Sequence, residues 1–118
     1  MEYMLLIHAD PAGFAALSEA DAAAAMAAYT AYTEALVKAG INRGSNRLQP
    51  ADMSTTVRVR GGKTEVLDGP FIETREQLGG YFLIDVPDLD AALSWAARCP
   101  GASHGSVEVR PIWDMSGQ

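Results

Sequence analysis

The sequence predicts an α+β fold, an antiparallel sheet with two helices packed on one of its faces. Three observations lead there. Short apolar or alternating runs of strand length recur along the chain, at residues 3–8, 54–67, 79–86 and 106–113. Two segments with helical spacing, each opened by a capping residue, fall between them. The resulting order is strand, long helix, hairpin, strand, helix, strand, which in outline is βαββαβ, the ferredoxin-like arrangement, with an extra hairpin.

The first strand is YMLLIH, a continuous apolar run that suits burial on both faces. Pro11 and Gly13 then break the pattern. Ser18 and Asp21 form an S-x-x-D capping signal, and the alanine-rich stretch after it is strongly helix-forming. Met26, Tyr29, Thr33, Leu36 and Val37 fall on one stripe, expected to face the core, and Gly40 ends the helix. Residues 41–53 are polar and irregular, with room for a short strand around Ile41 or Leu48. STTVRVR and KTEVL alternate on either side of Gly61-Gly62, a hairpin signal because paired glycines supply positive φ. GGYFLIDV is the next strand; Asp88 caps a second helix whose expected stripe is Leu89, Ala92, Leu93 and Ala96. SVEVRPIW is the last strand, with Pro111 placing it at an edge or end. No repeat, linker or boundary interrupts the chain, so residues 1–118 read as one domain.

Period-two reading divides the strands into faces. Val57, Val59, Phe82, Ile84, Val86, Val107, Val109 and Trp113 are expected against the helices. Arg58, Arg60, Tyr81, Leu83, Asp85, Glu108, Arg110 and Ile112 take the other face. That face is too apolar for open water and too charged for a dry core. Two copies meeting across a two-fold axis around a partly polar cavity would reconcile the two, so a homodimer is expected.

Composition excludes several functions. A net charge of −6, with seven arginines and two lysines scattered, argues against direct nucleic-acid binding and against anionic membranes. One cysteine, Cys99, permits no internal disulfide, and MEYMLLIHAD lacks the basic segment of a signal peptide; a cytoplasmic protein is the expectation. No zinc-ligand spacing, dinucleotide fingerprint, phosphate loop or serine elbow occurs, and no cofactor is expected.

DGPF, residues 68–71, holds the central candidate. An aspartate in a turn usually accepts from the N–H two residues on, but here that residue is Pro70, which has none. Asp68 is therefore either a cap or ion-pair partner, for instance of Arg58, or a group for ligand binding or proton transfer. Gly69 is expected in a backbone conformation that only glycine adopts freely. His8 ends the first strand beside a loop, and an imidazole is the side chain best suited to acid–base work near neutrality, so it is the second candidate acid or base. Arg58 is a candidate to hold a carboxylate or enolate oxygen, with a salt bridge as its ordinary use. Tyr81 is a candidate to turn its hydroxyl to a cavity, and Glu73 pairs with Gln77 on one face if their segment is helical.

The stretch from Ser54 to Trp113, with DGPF, ETREQLGG, VPDLDAALSWAARCP and VEVRP, resembles the YCII-related family in its DGPF-domain branch. The first strand matches as well, and the long helix matches in kind. The resemblance implies a dimeric α+β barrel in which two ferredoxin-like sheets face each other. It also implies kinship with small-molecule monooxygenases, isomerases and ligand-sensing domains, and an occasional association with sigma factors. Distant YCII proteins are thought to use a histidine on the first helix; the matching position here is near Tyr29, so that role does not carry over. Two functions stay open: an enzyme doing cofactor-independent acid–base chemistry or oxidation on a small molecule, and a non-catalytic metabolite- or protein-binding domain linked to sigma-factor-type control.

Overall fold

The computed structural model describes residues 1–116. Six strands and four helices follow in order: β1 Glu2–Ala9, α1 Pro11–Ala15, α2 Glu19–Lys38, β2 Asn42–Arg47, β3 Thr55–Arg60, β4 Lys63–Asp68, β5 Gln77–Asp85, α3 Leu89–Arg98, α4 Gly101–His104 and β6 Ser106–Pro111. A short 3-10 turn, Ala51–Met53, precedes β3. The main sheet has the order β2-β5-β1-β6, and its pairings are antiparallel. That order is consistent with the ferredoxin-like βαββαβ plan, with β3 and β4 inserted before its third strand.

The hairpin corrects the expected sheet. Among the described residues β3 and β4 pair only with each other, as a separate two-stranded sheet. The second strand of the main sheet is instead NRGSNR, β2. It carries no apolar residue, so hydrophobic periodicity is blind to it; it joins β5 through its backbone, with Ser45 opposite Phe82 and Asn46 opposite Tyr81. Val57 and Val59 are consequently not in the core but 60% exposed each, and Arg58 and Arg60 do not belong to the open face of the main sheet. The turn itself is as expected, with Gly61 at φ 57° and Gly62 at φ 77°.

The core lies between one sheet face and the helices. Tyr3, Leu5, Ile7, Phe82, Ile84 and Val86 meet Tyr32, Leu36, Ala92, Ala96 and Cys99 there. The Tyr32 ring stands edge-on to Phe82 at 5.1 Å, and its hydroxyl donates to the carbonyl of Trp95 at 2.7 Å. Both caps form as expected: Ser18 Oγ accepts from Asp21 N at 3.1 Å and Asp88 Oδ1 from Ala91 N at 2.9 Å. The helix stripes differ. Tyr32, not Met26 or Val37, is the buried aromatic of α2, and in α3 Ala92 and Ala96 are buried while Leu89 and Leu93 are exposed. Alanine packs a helix close to a sheet, so the small residues take the contact and the larger ones flank it. Trp113, expected inside, lies past the end of β6 and is 82% exposed.

The opposite sheet face is half-buried and mixed, as the alternation predicts for β5 and β6. It presents Met4, Leu6 and His8 from β1, Tyr81 and Leu83 from β5, and Ser106, Glu108 and Arg110 from β6. No helix among the described residues is long and apolar enough to cross a membrane.

Candidate functional site

The open face ends, at the C-terminal end of β1, in a hollow of about 1020 Å³. One wall is the sheet, with His8, Ser106, Glu108 and Leu78; the other is the hairpin base and the DGPF loop, with Ser54, Thr56, Pro70, Phe71 and Ile72. Three local devices build it. A β-bulge between Ile7 and His8 leaves Gly79 as the extra residue on β5, since Ile7 pairs with Gly80 and His8 with Leu78. Gly105 lets α4 pass against the end of β1: a Cβ there would lie inside the carbonyl oxygen of His8 and 3.1 Å from Ala9 Cα. Gly69, at φ 100°, turns the chain from β4 into the loop, and its N–H and C=O are tied to the hairpin by Ser54 O at 2.7 Å and Thr56 Oγ1 at 2.8 Å. The Gly69–Pro70 bond is trans, as are all the others among the described residues.

His8 is the candidate that the structure brings into the hollow. Its Nε2 lies 3.4 Å from Glu108 Oε1, and Glu108 Oε2 in turn takes a hydrogen bond from Arg110 Nη2. That guanidinium, more than any other neighbour, holds the Glu108 carboxyl below its ordinary range, so it is ionised at neutral pH. Beside the pair, Ser106 Oγ donates to Glu76 Oε2 at 2.9 Å, and Ser106 is the cross-strand neighbour of His8. Glu108, Ser106 and Glu76 were not foreseen as site residues. Glu108 became legible only with the β1–β6 register, which sets it diagonally across from His8.

The other candidates stand elsewhere. Asp68 closes β4, exposed, and makes no side-chain hydrogen bond or ion pair among the described residues, so neither the cap nor the pairing with Arg58 forms within the chain. Arg58 lies over the Phe71 ring at 4.9 Å and reaches the hollow only through that ring; its Nε is buried without a partner. Tyr81 is on the open face, but its hydroxyl accepts from Asn46 Nδ2 at 2.8 Å, away from the hollow's lining. Glu73 faces a smaller depression with Arg75 and Gln77, and its segment is a series of bends rather than a helix, so the expected Glu73–Gln77 face does not exist. Tyr29 sits on the helix side, where burial, with Cys99 beside it, pushes its hydroxyl up to about 12. Among the described residues no group of three or more His, Cys, Asp or Glu is gathered as a metal site.

Three comparisons bear on this site. The family profile described as the YCII-related domain matches residues 1–116. An uncharacterized protein of Rhizobium meliloti (strain 1021) is 40% identical over 114 residues, covering 95% of this chain and 92% of its own. Among solved structures, 5-chloro-2-hydroxyhydroquinone dehydrochlorinase from Burkholderia phenoliruptrix, in complex with 2,5-dihydroxybenzoquinone, superposes with a TM-score of 0.59. It shares 12% identity, and the match covers 99% of this chain and 98% of that one, a likeness of fold.

Proposed function

The chain belongs to the YCII-related family, and from that premise we propose that it is a small-molecule enzyme whose proton-transfer group is His8. The observation that carries the reading is the imidazole at the wall of the hollow, 3.4 Å from a carboxylate that Arg110 keeps ionised. A carboxylate beside the ring fixes its orientation and stabilises the imidazolium formed when the ring accepts a proton. A ring-bearing substrate fits the lining, where Phe71, Ile72, Leu48 and Met53 supply apolar contact and Ser106, Thr56 and Gln77 supply hydrogen bonds. The fold neighbour's ligand, a dihydroxybenzoquinone, is a compound of that size and kind.

The proposal extends to the DGPF branch of the family, to a cytoplasmic location and to a homodimer in which two open faces meet. Half-buried Met4, Leu6, Tyr81 and Leu83 on the uncovered sheet support the dimer. Asp68 and Glu73 lie outside the lining, so the proton-transfer role rests on His8, with Arg58 acting through the position of Phe71. A binding domain tied to sigma-factor-type control would use the hollow without needing a histidine–carboxylate pair, and no observation favours it.

The test is a panel of single-ring phenols and quinones, 2,5-dihydroxybenzoquinone included, followed by the His8 ring signals in NMR and by turnover. Binders are expected to shift the His8 resonances, and His8→Gln is expected to keep binding while losing about 10²–10⁴ in rate on any compound turned over. Ligands that bind without touching those signals, or a His8→Gln protein that turns over at the wild-type rate, would sink the proposal.

A further inference from the structure

We propose that the β3–β4 hairpin is an arm that crosses to a second copy of this chain and closes the hollow of that copy. The inference rests on the homodimer proposed above and names the part of the chain that completes each site. Register places Val57, Val59 and Val66 on one face of the hairpin, flanked by Thr55, Thr64 and Asp68. The three valines are 60%, 60% and 63% exposed. Arg58, Arg60, Lys63 and Glu65 take the other face. A lone two-stranded hairpin in water is marginal at best, and one that spends its apolar face on solvent is less stable still. The β3–β4 sheet pairs with no other strand among the described residues.

Overall dimensions point the same way. The radius of gyration is 16.4 Å, whereas a compact chain of this length has about 13 Å. The extents are 49 × 47 × 18 Å, a flat body with a projecting piece. The chain itself offers the matching surface, a half-apolar sheet face with nothing on it. A two-fold axis would cover that face and the valine face together, each twice.

The hollow lacks a wall of its own. Phe71 and Ile72 line it yet remain 65% and 59% exposed, so a ligand there would face water on that side. An arm from the second copy, arriving along the open face, supplies the missing cover and the water exclusion that proton transfer gains from.

The experiment combines mass in solution with contacts between copies. The wild type is sedimented beside Val57→Lys/Val66→Lys and, as a second variant, Val59→Asp. Circular dichroism checks the fold, and the hairpin contributes nothing to the buried core, so the body is expected to stay folded. In parallel, copies labelled at valine methyls are mixed with copies labelled at leucine methyls. We expect a dimeric wild type, a halved mass in both folded variants, and cross-copy contacts from the hairpin valines to Leu6 or Leu83. A dimer that persists in a folded variant, or an absence of those contacts, overturns the arm while leaving the sheet-to-sheet dimer standing. A monomeric wild type overturns both.

Discussion

Gly105→Ala tests the close approach that fixes the position of His8. The added Cβ would enter the space of the His8 carbonyl oxygen and come to 3.1 Å from Ala9 Cα and 3.2 Å from Ala9 Cβ. Two of those three neighbours are backbone atoms of β1, a strand hydrogen-bonded on both sides by β5 and β6, so no side-chain rotation relieves the contact. Forcing a methyl into such a place costs about 1–3 kcal/mol in well-packed interiors, and an obstacle of backbone puts this case at the upper end. For a domain of this size a loss of about 3 kcal/mol lowers the melting temperature by roughly 10 °C. Gly79→Ala is the control, since its Cβ would meet only Ile7 O at 3.9 Å; it is expected to change stability by less than about 0.5 kcal/mol. Urea unfolding of both variants at neutral pH measures the difference. Equal stabilities for the two, or a Gly105→Ala protein within about 0.5 kcal/mol of wild type, would refute the packing argument.

Two further outcomes are expected. Asp68→Asn, unfolded in urea at low protein concentration, should lie within about 0.5 kcal/mol of wild type, because the carboxylate has no partner among the described residues; a loss of about 1–2 kcal/mol would mean that a cap or ion pair forms after all. Glu108, whose folded-state pKa is depressed chiefly by the Arg110 hydrogen bond, contributes stability that is present above its ordinary value of 4.5 and lost as pH falls through the depressed one. The melting-temperature gap between wild type and Glu108→Gln should therefore narrow as pH drops below 4.5, and a gap that stays constant down to acid pH would contradict the Arg110–Glu108 contact.

What the sequence made legible follows from what alternation and capping encode. Ser18, Asp88 and the Gly61-Gly62 turn announce themselves because each satisfies a local backbone need that few residues meet. The inward and outward faces of β5 and β6 are read correctly from the period of two, whereas β1, a continuous apolar run expected to be buried on both faces, buries only Tyr3, Leu5 and Ile7 on one of them. β2 shows in the sequence only as room for a short strand around Ile41 or Leu48, because backbone pairing, not side-chain burial, holds NRGSNR in place. The stripe of α3 is half right: Ala92 and Ala96 are buried as expected, while Leu89 and Leu93 stand at the margins, because the alanines make the contact. Of the site, His8 was visible from its place at a strand end, but its partnership with Glu108 depends on the pairing of strands nearly a hundred residues apart in sequence.

The bulge opposite His8 separates two alternations within a single strand. On the C-terminal side of Gly79, the odd-numbered Tyr81 and Leu83 point away from the helices; on its N-terminal side the even-numbered Leu78 faces the hollow alongside His8. Natural variation can therefore act on the two halves of β5 independently: the first half may be rewritten to change what the hollow admits, while the second keeps its phase with the core. Straightening the bulge with Gly79 retained would abolish that independence, because Gly79 would take the place of Leu78 opposite His8 and every residue from Leu78 back toward the DGPF loop would exchange its face. A lineage that alters its ligand is thus expected to substitute residues in 70–78 freely while preserving the bulge at Gly79.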